Sequence, residues 1–546
     1  MSAISVEIRS EGQPIDSTLS LLSIDIRREL NRVPSAQLVF VDGDLPQRKF
    51  PVSDSDSFAV GALVSIAAGY VGGTPAHTRL FEGVVVRHTV EAGPQGSTLS
   101  VELRDKAVRL TQLRRSTLFE QMKDSDVFKK LVGAAGLKTG EVQDTVMVHP
   151  ALVQHQCSDW DFLLTRAEAM GRVVLVKDGA LSLRAPAAAG QAVLQAQLGL
   201  DSVYTVELEL DGLAAQVGAS ATSLDMHKLS TGQVKGKAPP ALAPGKSRSA
   251  AMAAKLFNAQ PVLTAAASLE NAELDAWSSA ALMRAELATV RGRVSLQGTA
   301  KAELLAGVAL DGVGQRFAGT LPITGLAHRI ADGDWRTDLQ LGLPARPHHL
   351  AEALAAPPAA GLHPPATGLS LAVVAAVHED PDKSWRVKIQ PAGLPGPPMG
   401  LWARLALPSA GKGRGWYLRP EVNDLVVVGY LGDDPRQPVV LGCLHSANAA
   451  PPQALTDDSG KNALSGFVTR SGLSLVLDDE KKTLQIKTPG GHQVLLDDQD
   501  KAIQLKDSHG NELVLDQNGV RIKSTKDLTL EASGNVAIQG SAIDLK

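Results

Sequence analysis

Between residues 472 and 546, apolar and polar side chains alternate in short bursts that recur at a fixed interval. Leu475-Val476-Leu477-Asp478-Asp479 and Leu484-Gln485-Ile486-Lys487 are followed nineteen residues on by Val494-Leu495-Leu496-Asp497-Asp498 and Ile503-Gln504-Leu505-Lys506. A further nineteen bring Leu513-Val514-Leu515-Asp516 and then Val520-Arg521-Ile522-Lys523, across a turn two residues shorter. The pattern decays into Leu528-Thr529-Leu530, Val536-Ala537-Ile538 and Ile543-Asp544-Leu545. Period-two alternation sends every second side chain to one face. Each unit therefore predicts two short strands joined by a polar turn, and the repeat points to a β-solenoid or stacked hairpins. The inward set is Leu475, Leu477, Leu484, Ile486, Val494, Leu496, Ile503, Leu505, Leu513, Leu515, Val520 and Ile522, and the outward set reads as Lys, Gln, Asp, Thr and Ser.

Two inward residues per strand make a thin core, and two wall segments per repeat are too few for one chain to close a β-helix. The economical closure is several identical chains around a common axis, a prism with no free sheet edge. The alternative is a plain antiparallel sheet stacked on the preceding domain. Lys546 follows directly on the last predicted strand, which predicts a rod ending in a bare tip.

Upstream the periodicity is again mostly two. Ile4-Ser5-Val6-Glu7-Ile8, Leu22-Ser23-Ile24-Asp25-Ile26, 36–41, 63–67, 80–86 and 99–103 read as strands spaced as in a closed barrel. Two helices follow. Asp124 or Ser125 is the candidate cap of the first, with Gly136 as its stop; Ser158, with Asp161 three residues on, opens the second, which Gly171 ends. Val173-Val174-Leu175-Val176 and Ala180-Leu181-Ser182-Leu183 flank Asp178-Gly179 as a hairpin. Residues 228–262, rich in Lys, Gly, Pro, Ala and Ser, read as an exposed loop, 268–290 as an Ala-rich helix, and 291–343 as a second barrel-like run that includes Phe317-Ala318-Gly319.

The predicted organisation is mainly β. A unit of two barrel-like N-terminal lobes with helices (1–345) is followed by a Pro/Ala linker (346–367) and a small five-stranded OB-like barrel (368–446). A second linker (447–465) leads into a C-terminal trimeric β-helix or β-prism (466–546).

Composition narrows the function. A net charge of −4 provides no global basic field for nucleic acid or anionic lipid. Two cysteines, Cys157 and Cys443, exclude a cysteine zinc site and argue against a disulfide framework; both read as small buried hydrophobes. The N-terminus lacks a signal-peptide pattern and no apolar run is long enough to span a bilayer, so the expectation is synthesis in the cytoplasm. Candidate chemistry is sparse. Gly411-x-Gly413-x-Gly415 lacks the strand-loop-helix context of a phosphate loop and reads as a β loop. His378-Glu379-Asp380 with Asp382 reads as a hairpin turn, His348, His349 and His363 as linker residues, and Asp478-Asp479 and Asp497-Asp498 as solvated turns. No catalytic, cofactor or metal set emerges.

With these residues in view, the chain resembles the VgrG-type spike of contractile injection machines, itself similar to the hub-and-needle proteins of contractile phage tails. The tightest match runs from Gly413-Arg414-Gly415-Trp416-Tyr417 through Pro420-Glu421-Val422-Asn423-Asp424-Leu425 to Gly432-Asp433-Asp434-Pro435 and Pro438-Val439-Val440-Leu441-Gly442. Asn423 stands where the family pattern has glycine and Leu425 where it has glutamate; Asn tolerates the same positive φ. Phe81-Glu82-Gly83, Asp159-Trp160-Asp161-Phe162-Leu163-Leu164 and Trp335-Arg336-Thr337-Asp338-Leu339 look like further family segments. Arg28-Glu29-Leu30-Asn31-Arg32-Val33-Pro34-Ser35-Ala36 looks closer to spikes of extracellular phage-tail-like particles.

The resemblance implies a structural, non-enzymatic homotrimer without cofactors. A hub would dock on a hexameric inner tube among baseplate proteins, and a prism needle would meet a target membrane transiently. A conical tip protein would bind near Ile543, Asp544, Leu545 and Lys546, effector cargo is compatible, and release in an extracellular particle fits. Two other classes compete. A β-solenoid polysaccharide-degrading enzyme would need long loops carrying catalytic clusters, and these turns are short. A nucleic-acid-binding OB module would use Trp385, Trp402, Trp416 and Tyr417 with Lys388, Arg404, Lys412, Arg414 and Arg419; no nucleic-acid partner is expected.

Overall fold

A computed structural model describes residues 3–44, 46–94, 96–188, 190–199, 203–226, 228–242, 249–257, 260–352, 354–393, 400–457 and 460–544. The chain divides into two compact units, Met1–Ala356 and Pro357–Lys546.

In the first unit the alternating segments become antiparallel strands. Leu21–Glu29 pairs with Ser35–Val41, which pairs with Gly96–Arg104, and Thr78–Gly93, Leu63–Tyr70 and Ile4–Ser10 continue the order. The strands of the second lobe, Val290–Gln297, Asp334–Leu341 and Gly319–Ala331, extend the same sheet. Gly319–Ala331 lies against Leu21–Glu29 in an unbroken register from Gly325↔Glu29 to Ala331↔Ser23. Among the described residues this makes one 13-stranded sheet. The two barrel-like lobes are thus continuous in backbone but separate in core. Ile24, Ile26, Leu38, Phe40, Phe58, Ile66 and Leu103 pack in one cluster; Val294, Val308, Leu321, Ile323, Leu339 and Leu341 pack in another. Arg28 continues the inward row of its strand and is buried, so it needs a counter-charge: Glu303 lies 3.1 Å away and also takes Lys177 at 2.6 Å.

A third cluster forms where the helices Asp124–Ala134 and Asp159–Ala169 cover the hairpin Val173–Lys177/Ala180–Arg184. Val127, Phe128, Leu131 and Val132 of the first helix and Trp160, Leu163, Leu164 and Ala167 of the second are buried. Ser158 caps the second helix by accepting from the Asp161 N–H at 3.1 Å. Gly171, at φ +63°, ends it in a Schellman motif: its N–H reaches the Glu168 carbonyl at 3.2 Å and the Arg172 N–H reaches the Ala167 carbonyl at 2.8 Å.

Several expectations change here. The first helix is preceded by Lys123, not capped by Asp124 or Ser125; the Asp124 carboxylate instead joins His149 (2.8 Å) and Arg166 (2.7 Å) in a buried network. Buried charges are held by such partners, and that pull outweighs capping. Residues 228–262 are not simply a loop. They hold the strand Ser230–Lys235, paired with Ser220–Asp225, the helix Ser249–Leu256, and the start of Val262–Ala265. Few large apolar residues mark these elements because small ones fit close packing. A Cβ on Gly236 would meet the Ser278 backbone at 2.6 Å. Gly314–Phe317 forms a short helix rather than a strand, and the strand starts at Gly319. Cys443 is exposed and Cys157 only partly buried, so neither is the fully buried hydrophobe expected. Cys443 ends a strand whose last residues face outward.

The second unit opens with a closed five-stranded barrel in the order Ser370–Ala376, Val387–Pro391, Leu401–Leu405, Pro438–Cys443, Leu425–Tyr430. Ala372, Val374, Val387, Ile389, Ala403, Val426, Val428 and Val440 fill it. Asn423 sits at φ +76°, the conformation for which glycine is the easier residue. Seven short strands then follow as a meander, each hydrogen-bonded to the next: Leu464–Val468, Ser474–Asp478, Thr483–Lys487, Gln493–Asp497, Ala502–Lys506, Glu512–Asp516 and Gly519–Lys523.

Candidate assembly face

The repeat sheet is built by nearest-neighbour antiparallel pairing without a bulge. Its ladders tie Leu475, Ile486, Val494, Leu505, Leu513 and Ile522 into one row, and Leu477, Leu484, Leu496, Ile503, Leu515 and Val520 into a second. Directly opposed residues of an antiparallel pair share a face, so all twelve lie on one side of the sheet. Within a single chain little covers them: Leu496 is 41% exposed, Ile503 44% and Val520 67%. Strand spacing and rise give a face of about 30 Å by 16 Å, roughly 500 Å². That is at the upper end of the apolar patch a soluble monomer carries, and such patches mark contact sites.

The opposite face runs Val476, Gln485, Leu495, Gln504, Val514, Arg521 along its middle row, flanked by lysines, Asp, Glu, Thr and Gln. Val476, Leu495 and Val514 depart from the uniformly polar exterior expected, each nineteen residues from the next, and Val514 is buried.

The turns explain the repeating acids. Asp478 accepts backbone N–H groups of Glu480 and Lys481 (3.1 and 2.9 Å), Asp497 that of Asp500 (2.9 Å), and Asp516 that of Asn518 (2.7 Å). Each is an Asx-type turn residue. The backbone N–H of Lys481 is the main cause that holds the Asp478 carboxyl below its ordinary range. Past Lys523 the strand-like segments Leu528-Thr529-Leu530, Val536-Ala537-Ile538 and Ile543-Asp544 form no strand, contrary to the pattern, although the outer edge of Gly519–Lys523 is free. Leu528, Leu530, Val536, Ile538 and Ile543 are exposed. Leu545 and Lys546 lie outside the described residues.

The other candidates disperse. His378 and Glu379 are exposed, while Asp380 turns inward. Asp380 accepts from the Arg386 guanidinium (2.6 Å), the foremost cause that holds it well below the usual carboxylate range, and from the main-chain N–H groups of Arg386 (3.1 Å) and Ser384 (2.8 Å). It folds its own loop. Gly411 and Gly415 belong to a two-residue hairpin pair around Gly413 at φ +68°. His348 is not a free linker residue: its Nε2 lies 2.9 Å from Asp161, and its N–H donates to Glu168 at 2.8 Å. In the barrel Trp385, Trp416 and Tyr417 are exposed, Trp385 and Tyr417 edge to face at 6.1 Å, and the Arg386 guanidinium lies 6.0 Å from the Trp402 ring centre. No group of three or more His, Cys, Asp or Glu placed to hold a metal occurs among the described residues. No helix among them is long and apolar enough to cross a membrane.

A closed OB-like barrel followed by a repeat sheet with one open apolar face defines a structural component built to associate. Residues 1–332 match the family model of the Alg8 N-terminal domain, 370–445 that of the type VI secretion system/phage-baseplate injector OB domain, and 483–545 that of the phage baseplate V C-terminal trimerisation domain. The first match spans more than half of the chain, so the chain belongs to the Alg8 N-terminal domain family, and together the three make it a VgrG-type, phage hub-and-needle-like spike protein of contractile injection systems.

No curated protein sequence matches it. Among solved structures it is similar to the 43 kDa tail protein of prophage MuSo2 from Shewanella oneidensis, at 12% identity and TM-score 0.47, covering 63% of this chain and 99% of that one. The E. coli c3393 protein, a component of the type VI secretion system, gives 13% and 0.41, covering 80% and 100%. The Francisella PdpA–VgrG complex, half-lidded, gives 9% and 0.41, covering 96% and 88%.

Proposed function

We propose that this chain is the homotrimeric spike at the tip of a contractile injection machine, a mechanical rather than catalytic part. The observation that carries the reading is the pair of unbroken apolar rows on the repeat sheet. They lie largely within the stretch matched by the trimerisation domain model. Three copies facing their rows inward bury them on a common axis and remove the free edges that invite uncontrolled pairing. The segments from Leu528 to Asp544, unpaired in one chain, gain neighbours from the other two. In this reading residues 466–546 are the needle, 368–446 a ring, and 1–345 a hub of pseudo-sixfold symmetry on the hexameric inner tube among baseplate proteins. The conical tip protein meets the end at Ile543 and Asp544, with Leu545 and Lys546 beyond, and effector cargo travels with the assembly. The protein is made in the cytoplasm and assembled into the particle, released in the extracellular form of such machines. Sheath contraction supplies the work, and the needle contributes stiffness as it meets the target membrane.

Light scattering after size exclusion tests the core of this reading on the full chain and on a chain ending near Ala454. Three copies for the first, and fewer for the second, are expected. A full-length monomer at micromolar concentration overturns it.

A further inference from the structure

The N-terminal unit encloses a cavity of about 650 Å³ between the helix Asp159–Ala169, the helix Asn271–Thr289 and the segment 343–352. That volume lies within the range of small-ligand sites. Its wall is rich in ionisable groups, and most are already paired. Glu29 takes Arg32 at 3.2 Å, Glu168 takes Arg284 at 3.0 Å, and Asp161 takes His348 at 2.9 Å. Two wall arginines and the exposed carboxylate of Glu352 are left over. Neither Arg172 nor Arg346 lies within ion-pair distance of a carboxylate among the described residues, and neither side chain makes a hydrogen bond to them. Arg346 is exposed, so water serves it. Arg172 is only partly exposed and its Nε is shut off from solvent with no acceptor.

Local structure holds Arg172 there. The Schellman turn at Gly171 fixes its backbone through the bond to Ala167. Gly171, at φ +63°, takes the left-handed conformation this turn needs, and the turn lies next to Ala280 of the neighbouring helix. The turn thus anchors the backbone that carries the arginine. Other arginines with a sealed Nε differ. Arg184 pairs with Glu141, Arg291 with Glu209 and Asp211, and Arg419 donates to the Val377 carbonyl. A guanidinium is an all-donor group that stays charged, and in Arg172 the sealed Nε–H goes without an acceptor, which is costly. Burial alone pushes the Arg172 guanidinium down from its ordinary range, with no acid named to oppose it. The fork of donors matches the planar oxygens of carboxylate and phosphate. Trp160, Leu164 and Leu287 in the same wall offer apolar surface to whatever carries the anion.

We propose that this cavity is a binding site for an anionic group, a carboxylate or phosphate carried by a small molecule or by an acidic peptide segment, with Arg172 as its main ligand and Arg346 as its second. Nothing in the spike reading requires it, and it stands independently of trimer formation.

The test is calorimetric titration and thermal melting of the full-length protein with inorganic phosphate, citrate and a short polyglutamate peptide. At least one probe is expected to release heat and raise the melting midpoint. Arg172→Met, which keeps the apolar stem, is expected to bind about tenfold more weakly or worse, the loss typical of a charge-assisted hydrogen bond. Arg172→Lys keeps the charge without the fork and falls between. Arg346→Met, at an exposed position that leaves the core untouched, weakens the same probe severalfold, while Arg48→Met, exposed and outside the cavity, changes nothing. Binding of phosphate or citrate alone identifies a small-molecule source; binding of the peptide alone identifies a protein source. Silence from all three probes with the native protein overturns the site. So does equal binding by Arg172→Lys and Arg346→Met, even if Arg172→Met fails to fold.

Discussion

The N-terminal sheet and the repeat sheet use the same code and end in opposite states. Both are antiparallel with period-two alternation. In the first, Ile24, Ile26 and Leu38 are fully buried; in the second, Leu496 and Ile503 remain more than 40% exposed. The difference is not hydrophobicity. The first sheet has long strands, up to the sixteen residues of Thr78–Gly93, and pairs residues three hundred positions apart, as in Ala327↔Arg27. Such connections let it fold layers of its own over each apolar face. The repeat sheet pairs only with its sequence neighbours, through strands of five residues. A meander of that kind satisfies its backbone but supplies no second layer, and an apolar face without a second layer must find one elsewhere. One sheet is closed by its own chain; the other, in the proposed trimer, is completed by its copies.

The sharpest way to break that contrast is Leu496→Asp. In the proposed trimer it places three charges close to a dry axis, an expense no neighbouring group offsets. The expected outcome is loss of the trimer by light scattering while the N-terminal unit melts as before. A variant that assembles and melts like the native chain would show that the two rows do not face the axis.

Phe40→Ala is the converse experiment, since Phe40 is fully buried in the N-terminal core. It is expected to lower that unit's stability by about 3–5 kcal/mol through lost burial and a cavity, read in denaturant titration, with the copy number of the assembled protein unchanged.

His328 sharpens the picture through pH. Buried beside Trp335 and 3.0 Å from the Thr337 hydroxyl, its imidazole is pushed down to about 4, first by burial and then by the Arg28 charge. The unfolded state, titrating near 6.5, binds the proton more readily. Stability from this group is therefore complete above about pH 6.5 and falls as pH drops toward 4, by about 3 kcal/mol in all. His328→Gln is expected to flatten that slope in melts of the N-terminal unit at pH 4 to 7; an unchanged slope would move the acid sensitivity to another group. The smallest effect is Ser158→Ala. Loss of the cap on the helix Asp159–Ala169 is expected to cost about 1 kcal/mol, seen as a modest fall in the same unit's midpoint.

How much was legible depended on the range of the forces involved. The cap at Ser158, the stop at Gly171, the Asp178-Gly179 turn and the positive φ at Asn423 are set by a few adjacent residues, and the chain displays them openly. Residues 228–262 were not legible as strand and helix, because Gly236 and its small neighbours are chosen for close approach to distant backbone rather than for periodicity. From sequence Asp124 reads as a cap, because its partners, His149 and Arg166, come from other elements. The cavity around Arg172 was invisible for the same reason: an arginine without an acid is a fact about every neighbouring element at once. Family motifs in 413–442 added what periodicity did not, since the spacing of Gly, Asp and Pro in a barrel's turns constrains the backbone directly.

By itself, then, the sequence determined which residues share a face. A strand's pleat has a period of two, and the nineteen-residue repeat keeps that phase through three cycles, so Leu475 to Ile522 had to stand on one side. It could not determine what covers that side. Burial of a face is decided by what packs against it, and only the tertiary structure shows the N-terminal rows closed by their own chain and the repeat rows left open.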